Sequence, residues 1–165
     1  ERVAKKAGWG TPLSEGHGRG IAINDWFPLN EAKTVVTQVA EVSVTKRGKL
    51  KVHRVDCVID CGLVVNPDSV KAQMEGGIIM GMSAALFEQI TLEDGRVTQS
   101  NFDDYRIARM RDTPEIHVSI VESDAAPTGV GEPGTSPIVP AITNAIFAVT
   151  GTRLRRLPIG RQKLV

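Results

Sequence analysis

Chemistry in this chain centres on one carboxylate set among glycines. Glu132 lies in the run Thr128-Gly129-Val130-Gly131-Glu132-Pro133-Gly134-Thr135-Ser136-Pro137. Glycine has no Cβ, so backbone on either side of the acid can approach a ligand closely. Pro133 fixes the chain immediately after it. One acid on a stiff loop with little bulk around it suits a positioned general base. The bland alternative is a solvated surface acid, the usual fate of such residues. Gly129, Gly131 and Gly134 also spell the G-x-G-x-x-G dinucleotide pattern. That fingerprint needs a strand leading directly into the glycines and an acid about 20 residues further on for a ribose. No Asp or Glu follows Glu132, and Glu122 to Thr128 separates the glycines from the apolar run Ile116 to Val121. The nucleotide reading is therefore rejected.

Two other positions carry a chemical reading. Gln73 lies about one turn ahead of Gly76 and Gly77 on a helical stretch, where its amide can reach a ligand or simply face solvent. His17, in Gly16-His17-Gly18-Arg19-Gly20, sits beside glycines that could admit an anion or substrate, yet a single His without a partner motif reads as a loop residue. Cys57 and Cys61 are the only cysteines. An iron–sulfur cluster generally takes four thiolates, so these two hold none alone. On one strand they stand roughly 13 Å apart, too far for a disulfide. They read as small buried apolar residues.

The elements that position these residues follow from periodicity. Val35 to Thr45 alternates, with Val36, Ala40, Val42 and Val44 on one face, and Lys46-Arg47-Gly48-Lys49 turns it into a returning strand from Leu50 to Ile59. Asn66 is a good N-cap and Pro67 a good first residue for a helix running to about Glu88. Gly76, Gly77 and Gly81 each weaken that helix by up to about 1 kcal/mol relative to Ala. Such a surface implies close approach by another element or a ligand. Ile90 to Thr98 reads as strand-turn-strand with Asp94-Gly95 at the turn. Asn101 to Arg111 is polar and ambiguous, and Glu115 to Glu122 is a strand. Pro137 to Thr150 is a helix stopped by Gly151, with Asn144 facing solvent. Residues 1–34 show little pattern beyond a short strand candidate at Ile21-Ala22-Ile23, with Trp26 and Phe27 covering a core edge. Leu154 and Leu157 bracket a final extended segment. The fold class is α+β: β-hairpins packed with two main helices, in a single domain over 1–165.

Composition limits the partners. The chain has 165 residues, 41% apolar and 24% charged, with net charge +1. That is an ordinary globular balance and gives no reason to invoke nucleic acid. No stretch is long and apolar enough for a membrane span. No targeting signal opens the chain, which begins Glu1-Arg2-Val3 without Met, so it reads as a fragment of a longer protein. After Glu132 every charged residue is basic: Arg153, Arg155, Arg156, Arg161 and Lys163. A solvated tail is the plainer reading of that bias, and docking onto an acidic neighbour the sharper one.

Four blocks in order carry a resemblance: Asp60-Cys61-Gly62 with Asn66-Pro67; Gln73-Met74-Glu75-Gly76-Gly77; Gly129-Val130-Gly131-Glu132-Pro133; and Pro140-Ala141-Ile142-Thr143-Asn144-Ala145-Ile146-Phe147. Over about residues 16–160 the sequence resembles the C-terminal, molybdopterin-binding part of the molybdenum-binding subunits of the xanthine dehydrogenase/aldehyde oxidase family. Gln99-Ser100-Asn101-Phe102 and Arg155-Arg156-Leu157-Pro158-Ile159 resemble the isoquinoline 1-oxidoreductase β-subunit branch in particular. The resemblance implies that Glu132 is the catalytic base and that Gln73 contacts the molybdopterin cofactor, with Gly76 and Gly131 beside it. It implies hydroxylation of an aldehyde or N-heterocycle with water as the oxygen source. Electrons would leave through a small [2Fe-2S] partner subunit. Family subunits are several times longer than this chain, so the remainder of the subunit is an implied partner and the isolated piece is expected to be inactive. A glycine-rich helix face left uncovered would favour self-association. A non-catalytic assembly or binding module that keeps the same fold is the alternative function. The compartment, bacterial cytoplasm or periplasm, stays open.

Overall fold

The computed structural model describes residues 1–26 and 33–165. Its centre is a sheet whose longest strands are the two read from alternation. β2 (Thr34–Val44) and β3 (Leu50–Asp60) pair antiparallel. Gly48, at φ 75°, supplies the left-handed residue of the turn between them. The register slips between Glu41 and Val42, so that Arg54 and Val52 face consecutive β2 residues. This bulge explains why Val52 and Val55, three apart, both enter the core.

Two further strands complete the sheet in the order β1-β2-β3-β6. β1 (His17–Trp26) pairs antiparallel with β2, and β6 (Glu115–Ile120) pairs parallel with β3. A parallel neighbour requires a crossover. It is supplied by α2 (Pro67–Leu86), by the small hairpin of β4 (Leu92–Glu93) and β5 (Arg96–Val97), and by a one-turn 3-10 helix at Met110–Asp112. The Asp94-Gly95 turn of that hairpin has both residues at positive φ, 49° and 75°. That is the turn chemistry the sequence called for.

Both sheet faces are covered. α2 and α3 (Ile138–Thr150) close one face over Val36, Ala40, Val55, Cys57 and Ile59, contributing Met74, Ile78, Met82, Ile142 and Ile146. α1 (Arg2–Lys6) covers the other with Val3 and Ala7 against Val39 and Val58. The α+β reading with two main helices holds; the short strand candidate at Ile21-Ala22-Ile23 proves to be part of the longer β1, and α1 is a short helix that the sequence reading missed. Asn66 caps α2 by accepting from the backbone N–H groups of Asp68 and Ser69 at 3.1 and 3.2 Å. Gly151, at φ 72°, ends α3. Cys57 and Cys61 are buried and free, as their spacing required. No helix among the described residues is long and apolar enough to cross a membrane.

Several expectations change. The glycines at 18 and 20 belong to β1, not to a loop. A Cβ at Gly20 would collide with the backbone of Ala141 and Ala145, and one at Gly18 would press on Val149 and the Ala145 carbonyl. These glycines let α3 lie directly on the strand. Asn144 does not merely face solvent: its Nδ2 donates to the Ile21 carbonyl at 3.1 Å and its Oδ1 accepts from Arg153 Nη1 at 3.3 Å. Arg153 also stacks on the Phe147 ring at 3.4 Å. The basic tail therefore begins by folding back on α3. His17 is a strand residue stacked on His53 with ring centroids 4.9 Å apart. Its Nδ1 stands 3.7 Å from Glu41. Trp26 is half-buried at the end of β1, and Phe27 lies outside the described residues.

Candidate functional site

Glu132 projects from the connection between β6 and α3. Its neighbours hold the backbone firmly. The Glu132 carbonyl accepts from Thr135 N–H at 2.9 Å, closing a turn through Pro133 and Gly134. Upstream, Leu63 N–H donates to the Ala125 carbonyl and Thr128 N–H to the Cys61 carbonyl, both at 2.9 Å. Gly62 admits this crossing, since a Cβ there would collide with Ala126. Downstream, Gly134 packs against Met74 of α2. Pro133 and Gly134 are buried while Glu132 is exposed. The side chain makes no hydrogen bond or ion pair with any described residue, so the carboxylate is left open to a ligand.

Gln73 occupies the first half of α2, exposed. The loop and the helix bring it to Gly131: a methyl at that glycine would stand 3.9 Å from Gln73 Nε2. The Gln73 amide too makes no hydrogen bond among the described residues. Helical spacing puts Gln73, Gly76 and Met80 on one exposed stripe. At Gly76 an added Cβ would meet nothing within 4 Å.

The three glycines of α2 thus do not form one surface, contrary to the expectation from sequence. Gly77 and Gly81 are buried beneath the chain's own loop. A Cβ at Gly81 would collide with the Thr135 carbonyl, and one at Gly77 would come within 3.2 Å of Thr135 Oγ1. Their role is to let the segment that carries Glu132 lie against the helix. Only Gly76 remains open.

Two residues that sequence reading passed over secure the loop from the sheet side. Thr34 Oγ1 donates to the Gly129 carbonyl at 2.7 Å and lies 2.6 Å from Thr128 Oγ1. Gln38 Nε2 donates to the Gly134 carbonyl at 2.8 Å. Both side chains are fully buried, at 0% exposure. The available signal was a polar residue at a core-facing position of an alternating strand, for Gln38 falls between Val36 and Ala40. Cys57 is the cross-strand neighbour of Gln38. Burial pushes its thiol up to about 12, with the Gln38 amide opposing that rise.

The arrangement fits a large polar cofactor on one side. Gly129, Gly131 and Gly76 each present bare backbone to space that a side chain would fill, and the unpaired Gln73 amide lies beside Gly131. No group of three or more metal-binding side chains occurs among the described residues. A cleft of about 770 Å³ lies elsewhere, between α2 and β6. Leu63, Lys71, Val118 and Glu122 line it, and none of Gln73, Gly76, Gly131 or Glu132 does.

Comparison with known proteins bears on this geometry. Residues 14–114 match the model of a molybdopterin cofactor-binding domain. Glu132 lies beyond that stretch but within relatives that align along most of the chain. The chain is 43% identical over 159 residues to isoquinoline 1-oxidoreductase subunit beta of Brevundimonas diminuta, covering 95% of this chain and 20% of that protein. It is 36% identical over 163 residues to a membrane-bound aldehyde dehydrogenase of Gluconacetobacter polyoxogenes, named for pyrroloquinoline quinone, covering 96% of this chain and 21% of that one. Among solved structures, quinoline 2-oxidoreductase from Pseudomonas putida 86 superposes with a TM-score of 0.73 at 23% identity, over 81% of this chain and 18% of that one. That last likeness establishes the fold. The chain spans about a fifth of the length of these relatives.

Proposed function

Since this chain belongs to the molybdopterin cofactor-binding domain family, we propose that it is the segment of a molybdenum hydroxylase subunit that carries the general base, Glu132. The observation behind this reading is an unpaired Gln73 amide beside Gly131, the residue next to the exposed and unpaired Glu132, on a loop whose backbone is pinned at both ends. Gln73 would hold the pterin through its amide, and Gly76 and Gly131 would let the group lie against bare backbone. When bound, the molybdenum centre supplies the two-electron oxidation of the substrate, with water as the oxygen source.

The protein's part is to place a base and to keep it accessible. Glu132 takes the proton released as the substrate carbon gains oxygen. Its exposure lets it hand that proton on to solvent before the next turnover. Pro133 and the Glu132–Thr135 turn hold the backbone that carries the carboxylate. The substrate is an aldehyde or N-heterocycle, the classes named among the relatives. The electrons leave through a small [2Fe-2S] subunit.

The test uses the full-length subunit with its partners. Glu132→Gln should retain molybdenum content by elemental analysis yet lose about 10²- to 10⁴-fold in turnover, the usual worth of a general base. Gln73→Ala should lower pterin and molybdenum occupancy while the far-ultraviolet circular dichroism stays unchanged. Near-normal turnover in the first variant would remove Glu132 from the mechanism. Preparations that carry quinone in place of molybdenum would redirect the assignment to the other cofactor named among the relatives.

A further inference from the structure

We infer that Thr34 and Gln38 are positioning residues that clamp the Glu132 loop from both sides and so set the direction of the base. The inference rests on the assignment of Glu132 proposed above and extends it to two residues on a different element. Thr34 fixes the carbonyl of Gly129, three residues before Glu132, and Gln38 fixes the carbonyl of Gly134, two residues after it. Both side chains leave the same face of β2, four residues apart, and that face otherwise carries Val36, Ala40, Val42 and Val44. β2, paired with β1 at Thr34 and with both neighbours at Gln38, therefore holds the two anchors at a fixed span.

Energetics distinguish a clamp from ordinary core polarity. Gln38 Oε1 is buried without a hydrogen-bond partner. An orphaned acceptor is a cost that an apolar residue of similar size would avoid. The amide's distinctive contribution here is its NH2 group, which donates to the Gly134 carbonyl. Thr34 likewise gives its only hydroxyl proton to Gly129, so Thr128 must donate to Thr34 across their 2.6 Å contact. Between these anchors the loop has glycines at 129, 131 and 134, whose backbone freedom would otherwise let the carboxylate wander. Neither anchor touches the carboxylate, so each acts through the backbone alone.

Thr34→Val, Gln38→Met and the conservative Thr34→Ser, made in the full-length subunit with its partners, test this. With molybdenum content unchanged, Thr34→Val and Gln38→Met should lower kcat by about 10- to 100-fold with KM little moved, the scale of a slight misplacement of a reacting group. Thr34→Ser should restore most of the loss. Amide hydrogen exchange adds a readout independent of activity: protection of the peptide spanning 129–136, including Thr135 N–H, should fall in both variants while β2 and β3 keep theirs. If Gln38→Met fails to assemble, the Thr34→Val and Thr34→Ser pair decides alone. Glu132→Gln in parallel separates the two readings. Full turnover there sinks the base, whatever the clamp variants do. Loss there together with wild-type kcat and exchange in the clamp variants sinks the clamp.

Discussion

A thiol in the core records how tightly the sheet closes beneath the Glu132 loop. Cys57 is 1% exposed. Burial raises its pKa to about 12. Burial also raises Cys61, with the Asp60 charge adding to the effect. The thiolate is the reactive form, so both should resist a disulfide exchange reagent near about pH 8 and react only after denaturation. Rapid labelling of the native protein would mean that the core opens where Gln38 and Gly134 meet. The same shift has a sign for stability. An unfolded thiol ionises near about 8.5, so above that value and up to the folded pKa the unfolded state binds fewer protons than the native one. Stability should therefore fall as pH rises through this window, and less steeply in Cys57→Val. Glu132 contrasts with these thiols, because it is held through its backbone and its side chain is left to solvent.

Helix α2 shows how glycines of one sequence cluster divide between packing and site. Gly76→Ala should stabilise the apo subunit by up to about 1 kcal/mol, because it removes glycine's entropy cost where an added Cβ meets nothing. On the proposed assignment it should also lower cofactor loading, since the methyl would occupy that open space. Gly81→Ala should do the reverse to stability, at a cost of about 1–3 kcal/mol, because the Thr135 carbonyl leaves no room for it. Urea unfolding of the apo protein and molybdenum analysis of the loaded protein check both. Sequence reading saw that something must press on these glycines but could not see that it was the Glu132 segment, because such contact links residues some fifty positions apart and leaves no periodic trace. β2, β3, α2 and α3 were legible because Val36 to Val44, Asn66-Pro67 and Gly151 carry local signals. β1 was mostly hidden, for Gly18 and Gly20 stand where alternation would have placed apolar side chains. α1, at five residues, is too short to show a period. The parallel pairing of β6 with β3 has no local signature either. Glu132, Gln73 and Gly131 could be nominated from motif and backbone chemistry. Thr34 and Gln38 could not, since their meaning lies in the partner across the core.

At the scale of the whole chain, the cradle is one-sided. It offers a single amide and bare glycine backbone, whereas a bulky pterin needs polar groups from several directions and walls that exclude water. The stripe of Gln73, Gly76 and Met80 runs into an open hollow lined by Ile79, Ile107 and Ala108, and Met80 is 67% exposed. Phe102 and Met110 are over nine-tenths exposed. Isolated apolar residues at a surface are ordinary, but Ile79, Met80, Ile107 and Ala108 gathered in one open hollow beside Gly76 mark a face that something covers. The relatives supply a reason, since about four-fifths of their length lies outside the matched region. Residues 1–165 produced alone should therefore retain no stoichiometric molybdenum and show no oxidation of aldehydes or N-heterocycles with an artificial electron acceptor. They should also self-associate, and Met80→Lys should weaken that association by placing a charge in the stripe, which light scattering can follow. Adding the remainder of the subunit in trans should disperse the aggregates before it restores any activity, because covering an apolar face needs only contact whereas loading the cofactor needs every wall. Stoichiometric molybdenum and steady turnover from residues 1–165 alone would show that this one side of the cradle suffices.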